Sequence, residues 1–130
     1  MIREPIRLRD ESTPDRLVVV RLGSRTLSDD RLSESCEDAH DRWGIYGFSV
    51  LEVPGGDYQR LVRMSPIVAD REWVLEASGQ DLVTDGFPLL PTGQAPHWTV
   101  VLSSPTPDQF ERIRQRFGEP RRNPVWRGRR

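Results

Sequence analysis

Two residues on one short apolar run have the types and spacing for proton transfer: His97 and Thr99 in His97-Trp98-Thr99-Val100-Val101-Leu102. Residues two apart on a strand project from the same face. An imidazole that exchanges a proton near neutral pH would then stand beside a hydroxyl able to hold a phosphate or a leaving oxygen. The same histidine also suits a structural role, bonded to backbone at a strand start. A second set is cationic: Arg112, Arg114, Arg116, Arg121 and Arg122, with Trp126 as the nearby aromatic. Clustered guanidiniums beside an aromatic ring match a phosphate backbone with one stacked base. They match equally well the carboxylates of this fold, of a second copy or of an acidic protein partner.

All 19 basic residues are arginine, a uniformity that GC-rich codon usage produces without any selection for the forked guanidinium. Codon usage does not explain where the charges sit. From Asp29 to Asp85 there are 13 acids and 5 arginines, whereas from Arg112 to Arg130 there are 8 arginines and a single acid, Glu119. A net charge of -1 therefore conceals an acidic body and a basic end. Cys36 is the only cysteine, so neither an internal disulfide nor a thiolate metal site is expected, and no metal or cofactor is implied. No apolar run approaches the roughly 18 residues that span a bilayer, and Met1-Ile2-Arg3-Glu4-Pro5 lacks a signal-peptide core. A cytoplasmic protein without a membrane partner is expected.

The elements that must position these residues read as a small single α+β domain over 15–118, flanked by an N-terminal arm at 1–14 and a flexible basic tail at 119–130. Leu17–Leu22 is a β-branched run of the kind covered on both faces. Ser28 caps a helix whose Leu32, Cys36, Ala39 and Trp43 form one stripe, with Gly44 as its stop. Ile45–Val53 alternates as a second strand, and the helix between the two allows a parallel crossover. Gly47 within it marks a bulge or a close approach.

Asp57 caps a short helix that ends before Ser65-Pro66. Trp73–Ala77 and Asp81–Thr84 suggest a hairpin, and Phe87–Pro96 an irregular ordered loop. After the strand at His97 comes a helix signalled by Thr106, Pro107 and a T-x-x-Q capping box ending at Gln109, with Phe110, Ile113 and Phe117 as its stripe. The order is thus β-α-β-α-β-β-β-α, a mixed sheet of about five short strands covered by helices.

Two resemblances bear on function. His97-Trp98-Thr99-Val100 resembles one half of the His-x-Thr pair of the two-histidine phosphoesterases, which act on RNA ends and cyclic phosphates. The second copy is absent, since His40 lies on a helix in Asp38-Ala39-His40-Asp41. Arg21 with Asp41-Arg42-Trp43-Gly44 and Tyr46 is similar to the Arg and R-W-N-x-x-G…Y segments of RES-type ADP-ribosyltransferase toxins, with Gly44 replacing the asparagine. That likeness implies a nucleotide pocket. The leading expectation is a small RNA-directed protein, a ribonuclease-like toxin of a bacterial toxin–antitoxin pair, using His97, Thr99 and the C-terminal arginines. The alternatives are a non-catalytic interaction subunit, self-associating or bound to a partner through helix 28–43 and the tail, and an ADP-ribosyltransferase-like nucleotide-binding toxin.

Overall fold

The computed structural model describes Leu8, Pro14 and residues 16–23 and 25–128. The arm expected at 1–14 lies outside the described residues, except for Pro14 and for Leu8, which bridges to Thr92. In chain order the elements are β1 (Val18–Leu22), α1 (Asp29–Trp43), β2 (Tyr46–Glu52), α2 (Tyr58–Met64), β3 (Trp73–Ser78), α3 (Gly79–Thr84), β4 (Leu89–Leu90), β5 (His97–Leu102), α4 (Pro107–Arg114) and β6 (Arg121–Arg122). The strands form one sheet of order β4-β5-β2-β1-β3-β6 in which every pairing is antiparallel. The α+β class holds, and the mixed sheet is corrected to an antiparallel one. Among the described residues no helix is long and apolar enough to cross a membrane.

The parallel pairing expected of β1 and β2 is replaced by an antiparallel one, Val19 opposite Glu52 and Val20 opposite Leu51. The reason lies in the core. Val19 and Val20 are both 0% exposed, which is the look of a parallel strand, yet here it follows from β1's place inside the sheet with a core on each face. One core gathers Val19, Phe48, Leu75, Trp98 and Val100 with Leu32 and Cys36 of α1, Leu82 of α3, and Phe110 and Ile113 of α4. The other gathers Val20, Val53 and Val74 with Tyr58 and Leu61 of α2, and Val125 packs against it.

Where a hairpin was expected after β3, the chain turns into α3. Ser78 caps it, its hydroxyl accepting from Asp81 N at 3.3 Å, and Leu82 is its one buried apolar side chain, so a helix this short leaves no periodic trace. In α4, Thr106 is the N-cap residue without a side-chain cap bond, and Gln109 instead reaches Ser104 N and Ser103 Oγ. The tail is also corrected. Residues 119–128 are docked on the body: β6 pairs with β3, and buried Asn123 donates from Nδ2 to Val68 O and Arg71 O, each at 2.9 Å.

Gly47 answers to the close-approach alternative. A Cβ there would stand 2.7 Å from Val100 O and 2.8 Å from Thr99 Cγ2, inside van der Waals contact with a strand that cannot recede. Gly47→Ala is expected to cost about 1–3 kcal/mol in overpacking, read as a lower urea midpoint with an unchanged m-value.

Candidate functional site

A cleft of about 460 Å³ lies between α1 and the β2–β5 pair, lined by Ser35, Asp38, Ala39, Arg42, Trp43, Gly47, Phe48, Ser49 and Thr99. Ser35, Asp38, Ala39 and Arg42 follow the i, i+3, i+4, i+7 spacing of one helix face. Gly47 and Ser49 share a side of β2, and Thr99 is paired opposite Ser49 across the ladder. The glycine leaves the floor open where any side chain would meet β5. Arg42 stacks over the half-buried Trp43 ring at 5.6 Å. The lining thus combines an indole, a cation, a carboxylate and three hydroxyls, a set suited to a polar ligand with a flat ring.

Arg21 reaches the same walls from β1. Beyond Val20 the β1–β2 ladder ends, whereas β1 and β3 stay paired through Leu22. In the opening Arg21 donates from Nη1 to Ser49 O at 2.7 Å and from Nη2 to Ser35 Oγ at 3.2 Å, and its guanidinium lies 5.8 Å from the Phe48 ring. Burial, and then the nearby charge of Arg31, hold this guanidinium below the ordinary arginine range. Among the described residues no carboxylate is ion-paired with it. This arginine does not line the cleft itself but braces two of its lining residues, Ser35 and Ser49.

His97 and Thr99 are brought together, but through a third residue. Thr92 Oγ1 lies 2.8 Å from His97 Nδ1 and 2.7 Å from Thr99 Oγ1, and His97 Nδ1 is 3.2 Å from Thr92 O. Thr92 and Thr99 are buried, so the three form a satisfied internal network of the kind that fixes a fold. Thr99 also touches the cleft; His97 is not among the residues lining it. Glu52 is occupied too, accepting from Trp98 Nε1 at 3.0 Å. His40 stacks on Tyr46 with ring centroids 4.5 Å apart.

The cationic set lies apart from His97, and each of its arginines meets an acid of the same chain. Arg114 bonds Asp29 at 2.5 Å and Glu111 at 2.8 Å. Arg112 and Arg116 share Asp85, each at 3.2 Å. Arg121 pairs with Glu76 at 2.8 Å, Arg122 with Glu72 at 3.1 Å, and Arg127 with Asp70. Arg122 also sits between two indoles, 5.3 Å from Trp73 and 5.3 Å from Trp126, while Arg25 covers Trp73 at 3.9 Å. The acidic body and basic end of the sequence are therefore complementary surfaces of one fold.

The shared carboxylate gives a pH test. The hydrogen bond from Arg116 most of all holds the Asp85 carboxyl below its ordinary 3.8; desolvation opposes it, and Arg112 adds to the lowering. A lowered folded-state value stabilises the fold above the unfolded-state value and is lost as pH falls through the folded one. Asp85→Asn should therefore be less stable than wild type at pH 7, with the difference disappearing as the pH falls through the lowered folded-state value of Asp85, and shrinking in 1 M salt.

Ser35, Asp38, Ser49 and Thr92 are the residues that sequence reasoning missed as members of sites. Among the described residues no group of three His, Cys, Asp or Glu side chains could hold a metal ion. Fold and site together define an antiparallel α+β domain with a polar cleft beside a partly opened sheet. Beyond that class, no family model, no curated protein and no solved structure matches the chain.

Proposed function

We propose that the cleft binds a dinucleotide and that the chain is an ADP-ribosyltransferase-like nucleotide-binding protein. The observation that carries this reading is the convergence at one cleft of Arg21, Arg42 and Trp43, three of the residues behind that resemblance, while Tyr46 stacks on His40 outside the lining. Arg42 and Trp43 line the cleft, and Arg21 bonds to two further lining residues, Ser35 and Ser49. Its volume lies within the range of about 300–1,000 Å³ typical of small-molecule sites. Trp43 offers a ring face to a base, and arginine presents the fork that phosphate oxygens accept.

The RNA-directed reading draws less support from the same geometry. Its arginines are engaged with carboxylates of the same chain. Thermal unfolding separates the two. NAD+ at 100 times its Kd stabilises a single-site protein by about 2.7 kcal/mol, seen as a rise of several degrees in Tm. Ser49 is exposed, so Ser49→Trp should fold, fill the cleft and abolish that rise. Stabilisation by single-stranded RNA at low salt, with none by NAD+, would reverse the assignment.

A further inference from the structure

We infer that the outer face of α2, together with the 3-10 helix Pro66–Asp70 that follows it, is a docking surface for an acidic segment of another protein that carries apolar anchors. Arg60, Arg63 and Met64 fall at i, i+3 and i+4 and share one side of α2. All three are exposed, whereas Tyr58 and Leu61 on the other side are buried in the second core. Ile67 lies three residues beyond Met64, within about 10 Å by the reach of the chain, and is 59% exposed against 47% for Met64. The exposed large apolar side chains among the described residues are Leu8, Met64, Ile67 and Val83, so this one short stretch holds half of them. Single exposed apolar side chains are ordinary; adjoining ones rimmed by charge mark a contact surface. The surface is separate from the cleft, since α1, which walls the cleft, packs on the other core.

The charge of the rim selects the occupant. The two acids of this stretch are engaged, Asp57 Oδ1 accepting from Gln59 N at 2.9 Å and Asp70 pairing with Arg127. Among the described residues neither Arg60 nor Arg63 has an ion pair, so the face presents positive charge beside its apolar side chains. Complementary carboxylates would steer a partner onto it, and Met64 and Ile67 would bury against that partner's apolar side chains. A second copy of the chain fits less well. Its acids Glu34, Glu37 and Asp41 are exposed on α1, but none of the exposed large apolar side chains lies on that helix. With α1 and α2 on different cores, such a contact would also be head-to-tail and open-ended. A nucleic acid would want an aromatic ring to stack a base, and the one ring of α2, Tyr58, is buried. An anionic membrane is held by clusters of roughly four to eight cations, more than this face supplies.

The probe is a fluorescein-labelled synthetic helix of about 15 residues, rich in glutamate, with two leucines one turn apart. Fluorescence anisotropy follows its binding to wild type, to a variant carrying Arg60→Glu and Arg63→Glu together, to Ile67→Ser, and to a control, Arg31→Glu, on the exposed surface of α1. Every substitution is at an exposed position, and circular dichroism verifies each fold. The peptide should bind wild type and control alike, with a Kd on the order of 100 μM. Affinity should fall about tenfold or more in the charge-reversal variant, severalfold in Ile67→Ser, and severalfold for a peptide whose leucines are replaced by alanine. No binding at about 1 mM protein, or equal affinity in all four proteins, overturns the inference. Where the peptide fails, sedimentation of wild type with phosphatidylserine vesicles, or its self-association in light scattering, each lost in the charge-reversal variant, assigns the face to a lipid surface or to a second copy instead.

Discussion

Trp98→Ala is expected to lower stability by about 4 kcal/mol, a fall on the order of 15 °C in Tm for a domain of this size. Trp98 is 0% exposed and stands opposite Val50 at the centre of the larger core. Alanine leaves a cavity that flanking strands, tied by their ladders, cannot collapse into. It also removes the indole N–H that Glu52 accepts at 3.0 Å, leaving a half-buried carboxylate short of a donor. Trp98→Phe separates the two effects. It fills most of the space and loses only the bond, so it should cost about 1–2 kcal/mol. Equilibrium urea unfolding of both variants measures the difference; a Phe variant as damaged as the Ala variant would place the loss in the hydrogen bond and not in the packing.

Asn123→Leu should cost about 3 kcal/mol and free the C-terminal segment. Asn123 is 3% exposed and serves as a polar plug. Its Nδ2 satisfies two backbone carbonyls, its Oδ1 accepts from Val125 N at 3.1 Å, and its own N–H donates to Glu72 O at 2.7 Å. Leucine keeps the volume but leaves Val68 O and Arg71 O buried without that donor. The surface ion pairs that remain, Arg121–Glu76, Arg122–Glu72 and Arg127–Asp70, are each worth little in water and do not hold the segment alone. Limited trypsin digestion reads this directly: cleavage after Arg121 and Arg122 should be slow in wild type and fast in the variant. An unchanged digestion pattern with unchanged stability would mean that residues 119–128 are not anchored by Asn123.

The local signals that were legible are those that act within one turn or one strand. Ser28, the Leu32–Cys36–Ala39 stripe and Gly44 place α1, and Asp57 starts α2, because caps and periodicity are short-range chemistry. Strand direction is not written locally, and β1 looked parallel because an inner antiparallel strand is buried just as thoroughly. The tail looked disordered because its stabilisation comes from elsewhere. Asn123 finds carbonyls more than fifty positions earlier in the chain, and Arg121 and Arg122 meet acids on β3 and just ahead of it.

The site shows the same division. His97 and Thr99 were legible as a same-face pair from strand alternation, but the residue that joins them, Thr92, lay in a proline-rich stretch without a periodic signal. Ser35 and Asp38 carry no local signal of a site, since nothing in α1 itself tells that β2 and β5 leave a cleft beside it. Arg21 was visible as the one charge on an otherwise apolar strand. Its bonds to Ser35 and Ser49 cross to α1 and β2, contacts that nothing within β1 announces.

The central claim, that a dinucleotide enters the cleft between α1 and β2–β5, is tested most directly by mapping backbone amide shifts during a titration with NAD+. The proposal predicts saturable changes at Arg21, Ser35, Trp43, Gly47 and Ser49, with residues 112–127 unaffected. Changes confined to residues 112–127, or none at saturating ligand, would contradict it.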